Sequence, residues 1–305
     1  MTPIPHHNIE RILNPILPRI DQHKHAQSSN DQKPFILGLT GLQGSGKSTW
    51  TDALVQTLHQ HGNTAINISL DDLYLDHAEL VALRTANPEN KLLRTRGQPG
   101  THDTALAVSF FQRLMDTSQD RSIPAFDKSL FHGEGGRAPR ETWRCIPAGT
   151  TIDVVIFEGW CLGFQALPDE AIARRWENAL ESADPTETLR NHALEHLVLV
   201  NGNLRRYGEL FMGPRHFDFL VHLDTDDLVN VYEWRMQQER ALRLRGGGAM
   251  SDEEVVRFVE GYMTAYELYL DQLRRGFFGG SEKGREGQLR VVLDKERTVV
   301  DVRLI

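Results

Sequence analysis

The sequence predicts an α/β fold of three layers, a mostly parallel sheet covered by helices on both sides, with a helical lid. Three observations predict it. Apolar runs of strand length alternate with longer segments of helical period, two of the runs end on acids, and a glycine-rich loop follows the first run directly. In chain order, FILGLT (35–40) is apolar enough for a buried strand, and GLQGSGKS (41–48) follows at once. TWTDALVQTLHQHG (49–62) holds good helix formers and closes on Gly62, a residue suited to a helix C-cap. TAINISL (64–70) is a second strand, ending at Asp71 and Asp72. THDTALAVSFFQRLM (101–115) reads as an amphipathic helix, IDVVIFEG (152–159) as a buried strand ending on an acid, and FDFLVHLD (217–224) as a fourth strand. Residues 226–245 and 251–275 are long helices, the second opened by a capping box of Ser251 and Glu254. LRVVLD (289–294) and TVVDVRLI (298–305) close the chain as strand-like segments.

Ahead of the first strand, Ile9, Ile12, Leu13, Ile16, Leu17 and Ile20 recur at helical spacing, and HKHAQSSNDQ (23–32) is polar. Residues 1–33 are therefore expected to be a short docked helix and a linker, with 34–305 as the main domain. Glu10 and Asp21 are acidic and Pro15 and Pro18 interrupt the pattern, which argues against an import signal. The 305 residues carry 34 Lys+Arg against 42 Asp+Glu, a formal charge of −8. Such a chain does not bind by neutralising a phosphate backbone, so nucleic acid is not an expected partner. No apolar run approaches the ~18 residues of a membrane span, so a membrane is not one either. Two cysteines, Cys145 and Cys161, are too few for a disulfide scaffold and point to a soluble, reducing compartment, cytoplasmic or also nuclear. Oligomeric state is left open.

The loop carries the first chemistry. Gly41, Leu42, Gln43, Gly44, Ser45, Gly46, Lys47 and Ser48 fill G-x-x-x-x-G-K-[ST], with Thr49 next. Glycines let backbone N–H groups close around phosphate oxygens, and the helix N-terminus adds its positive dipole end. Lys47 would reach the β- and γ-phosphates, and the Ser48 hydroxyl would ligate magnesium, Mg²⁺. The strand before and the helix after are the context this mechanism demands, so the fold class sharpens to a P-loop NTPase sandwich. No N-K-x-D or T-K-x-D guanine motif is present, which favours ATP.

The second strand ends in S-L-D-D-L-Y (69–74), and in a parallel sheet its loop opens at the same C-terminal edge as the phosphate loop. A carboxylate there is placed to take the proton of an attacking hydroxyl while a γ-phosphoryl group leaves. The alternative is that Asp71 and Asp72 cap a helix. Glu158, ending I-F-E-G-W, belongs near Mg²⁺, directly or through a water, with Asp71 as a further metal candidate.

The loop, the S-L-D-D-L-Y turn and the V-I-F-E-G strand together resemble the uridine kinase, phosphoribulokinase and pantothenate kinase group of P-loop kinases. RGQPGTHD (96–103), IPAFDKSLFHGEGGRAP (123–139), FEGWCLGF (157–164), VYEWRMQQE (231–239) and MSDEEVVRFVEGYMTAYELYL (250–270) are similar to the plant-type D-glycerate 3-kinases and their fungal ATP-binding relatives. The resemblance implies that Asp71 is the general base, with Asp72 the fallback. It makes Tyr74, Arg96, His102 and Asp103 candidates for the acceptor pocket. A small hydroxy acid needs a cation for its carboxylate, ideally an arginine fork, so Arg96 and Arg137 come first and Lys128 next. Asp127, Lys128 and His132 follow a short strand that points at the same sheet edge. The competing reading makes Arg96–Gly100 an ordinary turn and Asp103 a helix cap.

Arg235, Arg240, Arg243 and Arg245 lie on or just beyond one helix, followed by Gly246, Gly247 and Gly248. As a lid over about 235–250, this segment would close on ATP, Arg235 and Arg243 on the nucleotide and Arg240 on the transition state. The alternative is a solvated basic face paired with Glu233 and Glu239. Trp234, Tyr262, Tyr266 and Tyr269 read as packing residues. The expected reaction is transfer of the γ-phosphoryl of MgATP to D-glycerate, giving 3-phosphoglycerate. The alternatives are another small acceptor (a nucleoside, pantothenate, a sugar acid) or a regulatory ATP-binding protein that hydrolyses slowly.

Overall fold

The computed structural model describes residues 4–27, 33–184, 186–244, 250–279 and 286–305. The N-terminal segment forms two helices, α1 (His6–Leu13) and α2 (Leu17–His25), where one was expected. Pro18 sits in the first turn of α2, where its missing N–H costs nothing. His23, Lys24 and His25 form the last turn of α2, so the expected linker begins later. Ile12, Leu13, Ile16 and Ile20 are fully buried in the main core, which makes the two helices part of the domain's own packing.

The remaining elements follow in the predicted alternation: β1 (Phe35–Gly41), α3 (Lys47–Gln60), β2 (Ala65–Ser69), α4 (His77–Ala86) and α5 (Thr104–Leu114). Four short strands come next, β3 (Arg121–Ile123), β4 (Phe126–Asp127), β5 (Gly136–Arg137) and β6 (Arg144–Ile146). Then come β7 (Val154–Gly159), α6 (Asp169–Glu181), α7 (Leu194–Tyr207), β8 (Phe219–Asp224), α8 (Val229–Leu244), α9 (Asp252–Arg275), β9 (Gln288–Leu293) and β10 (Val299–Leu304).

The central sheet runs β10-β9-β8-β1-β7-β2. Its first five strands in chain order are mutually parallel, and β10 returns antiparallel against β9. Near-continuous apolar runs suit strands covered on both faces, and every residue of β7 and β8 is buried. β1 lies between β7 and β8, so the loop leaving it emerges beside their acidic ends. Glu158 pairs in register with Leu39 of β1 and with Ser69 of β2, which aligns three strand ends at one edge.

Two small antiparallel ribbons, β3–β6 and β4–β5, stand outside the sheet, and Arg144 hooks one of them to Asn67 of β2. α9 opens with the predicted capping box, Ser251 Oγ accepting from Glu254 N and Glu254 accepting from Ser251 N. Arg245 and the glycines 246–248 of the expected lid hinge lie outside the described residues. Among the described residues no helix is long and apolar enough to cross a membrane.

Candidate active site

Gly44 and Gly46 adopt left-handed φ values of 81° and 91°, the conformation that turns loop N–H groups inward. A Cβ on Gly44 would lie 2.7 Å from Cβ of Trp234, so side-chain bulk is excluded there as well. The loop is clamped from two sides. Gln43 N donates to Tyr266 Oη at 2.9 Å, and Arg297 Nε donates to Gly44 O at 2.6 Å. Tyr266 therefore packs, as expected, and also holds the phosphate loop. Lys47 Nζ donates to the carbonyls of Gly41 (2.9 Å) and Leu42 (3.2 Å), curled over the loop that a polyphosphate would occupy. Burial lowers its pKa, against the pull of Glu158 and Asp71.

Beside the loop lies a cavity of about 430 Å³ whose wall includes Gln43, Gly44, Gly46, Lys47, Ser48, Thr49, Asp71, Lys128 and Glu158. Sequence reasoning named all nine. The fallback base Asp72 lines it too, and sequence reasoning missed Asn67, Phe126, Trp160 and Gln238, which line the same cavity. Gln238 follows Trp234 by one helical turn, a spacing that puts both on the face of α8 turned to the loop.

The two readings of the Asp pair are divided between its members. Asp71 N donates to Ser69 Oγ, Asp72 Oδ2 accepts from Ser69 N, and together these form a capping box on a single turn at Leu70–Leu73. Asp72 Oδ1 also accepts from Phe126 N. Asp71 is free of that duty and faces the cavity, with Lys128 Nζ 2.5 Å from its Oδ2. Burial would raise the Asp71 pKa, but the Lys128 ammonium and hydrogen bonds from Lys128 and Tyr74 outweigh it and hold the carboxyl below the usual range. Burial pushes Asp72 up instead, and it pushes Glu158 up despite the opposing charge of Lys47.

Tyr74 and His102 form an antiparallel bridge, their rings stacked with centroids 4.4 Å apart. His102 N and Nδ1 both lie against Tyr207 Oη, and burial lowers its pKa to about 3, so the ring is neutral. Tyr74 and His102 thus stand behind Asp71 and outside the cavity wall. Arg96 donates to the carbonyls of Gly133 and Glu134 and lies over the Phe126 ring, behind the wall rather than in it.

Other candidates are not brought to the cavity. Asp103 is the N-cap of α5, accepting from Leu106 N, and its second oxygen meets Arg137 at 3.2 Å. Arg137 also donates to the carbonyls of Asp72 and Tyr74, which makes it a brace between the turn and α5, and it does not line the cavity. Asp127 caps Ser129 at the surface. Arg235 pairs with Glu239 one turn on and lies over Phe258, facing α9. Arg240 and Arg243 reach Asp252, and Arg243 also donates to Met250 O. His132 stands in the left-handed region at φ 56° on an exposed turn. Leu42 and Ser45 form the loop's buried inner side, and Gly41 ends β1.

No protein-family model matches the chain. Comparison with individual proteins is more informative. The chain is 38% identical over 272 residues to a protein of Schizosaccharomyces pombe described as uncharacterized kinase mug58, covering 87% of this chain and 90% of that one. It is 33% identical over 277 residues to the chloroplastic D-glycerate 3-kinase of Arabidopsis thaliana, spanning 56% of that protein's length. Its structure superposes on that of D-glycerate 3-kinase from Cryptococcus neoformans with a TM-score of 0.84 and 31% identity, over 97% of this chain and 99% of that one. With its phosphate loop, strand-end acids and P-loop kinase sheet, the chain belongs to the D-glycerate 3-kinase family of ATP-dependent small-molecule kinases.

Proposed function

We propose that this kinase transfers the γ-phosphoryl group of MgATP to a hydroxyl of D-glycerate, with Asp71 as the general base. The observation that carries the reading is the convergence of Lys47, Ser48, Asp71, Lys128 and Glu158 on one cavity at the phosphate loop. Asp71 takes the proton of the acceptor hydroxyl as its oxygen bonds to the γ-phosphorus and the bond to ADP breaks. Its depressed pKa keeps the carboxylate ionised at neutral pH. On arrival of the polyphosphate, Lys47 exchanges its two loop carbonyls for phosphate oxygens. Lys128 is the cation on the acceptor side, so the acceptor's carboxylate is drawn to that end.

Mg²⁺ fits the residues present. Ser48, Asp71 and Glu158 offer oxygens to a hard cation that keeps most of its ligands as water and phosphate. Among the described residues no three His, Cys, Asp or Glu side chains converge as an all-protein metal site, and nucleotide-bound Mg²⁺ does not require one. It would supply charge neutralisation between the phosphates. Arg240 and Arg243 hold Asp252 through exposed contacts that are weak in water, and closure of the lid would trade these for phosphate oxygens. A cytoplasmic setting belongs to the same proposal.

A coupled ADP-release assay with D-glycerate, L-glycerate, uridine, pantothenate and no acceptor tests the reading. Acceleration by D-glycerate alone, lost in Asp71→Asn, is the expected outcome. Equal rates across the panel would remove D-glycerate as the acceptor.

A further inference from the structure

The carboxylate of Asp71 is already occupied. Its Oδ2 accepts from the Lys128 ammonium at 2.5 Å, and the Tyr74 hydroxyl donates to the same group. A carboxylate holding a charge-assisted hydrogen bond is a weaker base and is shielded from an incoming hydroxyl. Both members of the ion pair line the phosphate-loop cavity, where water competes with any acceptor for the γ-phosphoryl group.

The two donors are mounted differently. Tyr74 is buried, stacked on His102 with its edge toward Phe126. Lys128 directly follows β4, and its side chain is 56% exposed. The hairpin that carries it is anchored elsewhere. Phe126 N donates to Asp72, Arg96 to the carbonyls of Gly133 and Glu134, and Arg137 N to Asp76. Phe131 and His132 hold left-handed φ values of 51° and 56°, which such anchoring retains, and the Phe131 ring lies on His77. The backbone is thus fixed, while the ammonium swings on its four-carbon stem. An ion pair this exposed is weak in water, so a second carboxylate can take the ammonium at little cost. Water or a neutral polyol brings no charge to compete for it.

We propose that Lys128 determines specificity by masking Asp71: it covers the carboxylate until the carboxylate of an acceptor takes its ammonium, so the base is released only when an anionic hydroxy acid is in place. The inference rests on the reading of Asp71 as the base. It gives one lysine two tasks, drawing the acceptor in and withholding the base from water. In the reaction so suppressed, the water oxygen bonds to the γ-phosphorus, the bond to ADP breaks and a water proton passes to Asp71, giving ADP and phosphate.

ADP release from MgATP by the full chain tests it, in wild type and Lys128→Met, with D-glycerate, glycerol, propionate or no addition at constant ionic strength. Propionate brings three carbons and a carboxylate but no hydroxyl to phosphorylate. In wild type it should raise the slow hydrolysis of ATP about three- to tenfold, and Asp71→Asn should abolish the rise. Lys128→Met should hydrolyse ATP at the raised rate from the start, ignore propionate and lose most of the preference for D-glycerate over glycerol, with KM for ATP little changed. Propionate without effect on wild type, together with unraised hydrolysis in Lys128→Met, overturns the proposal. Loss of hydrolysis and of ATP affinity together in Lys128→Met overturns it too, because Lys128 would then serve the phosphates. A wild type that D-glycerate fails to accelerate overturns the acceptor reading instead, and the propionate and Lys128→Met rates still decide the mask.

Discussion

The two strands flanking β1 each end on an acid at the same edge of the sheet, and the two acids meet opposite surroundings. Glu158, ending β7, faces the phosphate-loop cavity and is opposed chiefly by the charge of Lys47; burial wins, and its pKa rises. Asp224, ending β8, is fully buried and takes Arg274 at 2.8 and 3.0 Å and Arg290 at 2.7 Å. Burial would raise Asp224 as well, but His222 and the two arginines bring it down to about 2. An acid saturated with cations is a clamp between α9 and the sheet. One left short of positive charge beside a cavity is available to a cation that arrives with substrate. Asp71 is the intermediate case, half-buried with Lys128 as its direct ion-pair partner.

Breaking the catalytic side has the largest expected effect. Asp71→Asn should lower turnover by ~10²-fold or more, with ATP affinity little changed, as steady-state kinetics and calorimetry would read. A turnover near wild type would move the base to another residue.

Breaking the clamp comes next. Asp224→Asn removes the buried carboxylate that two arginines share, leaving them only their exposed acidic partners Asp226 and Asp271, and should cost about 3 kcal/mol in denaturant unfolding. The surviving folded fraction should keep its turnover per site, and a selective loss of kcat would make Asp224 more than a clamp.

The pH dependence sharpens the contrast. Burial lowers His222 to about 4 from 6.5, so the unfolded chain binds its proton first as acid is added. A depressed pKa contributes stability that is present above 6.5 and lost as pH falls toward about 4. The contribution is about 3 kcal/mol for such a shift. Asp224 follows the same sign at lower pH, from 3.8 down toward about 2. His222→Gln should flatten unfolding free energy between those upper limits, and an unchanged slope there would exclude His222 as its source.

The smallest effect is expected at Arg240, whose exposed pair with Asp252 spans 3.5 Å. Arg240→Ala should change stability by less than about 0.5 kcal/mol. Any fall in kcat then reports lid closure directly, and an unaltered kcat removes Arg240 from the mechanism.

Most of the wall of the phosphate-loop cavity was legible along the chain. The loop, Thr49 and Glu158 lie in contiguous motifs whose chemistry depends on backbone geometry over a few residues. The capping box on α9 was legible for the same reason. The acceptor side was not. Arg137 fits a substrate carboxylate by charge alone, yet it is consumed by Asp103 and by carbonyls more than 60 residues away in sequence. Pro15 and Pro18 were visible as interruptions, but that the chain answers with two helices and buries both depends on the core they meet. Asp71 and Asp72 are indistinguishable in sequence. Only the approach of Phe126 and Lys128, 54 and 57 residues away, separates the capping carboxylate from the one paired with a lysine.

By itself the sequence determined the alternation of strands and helices, the phosphate loop and the family, because these rest on local backbone preferences and contiguous motifs. Tertiary structure alone decided which strand-end acid is saturated and which arginines are braces. The reason is electrostatic: a charge takes its role from the partners and solvent that folding brings to it, and those partners come from distant parts of the chain.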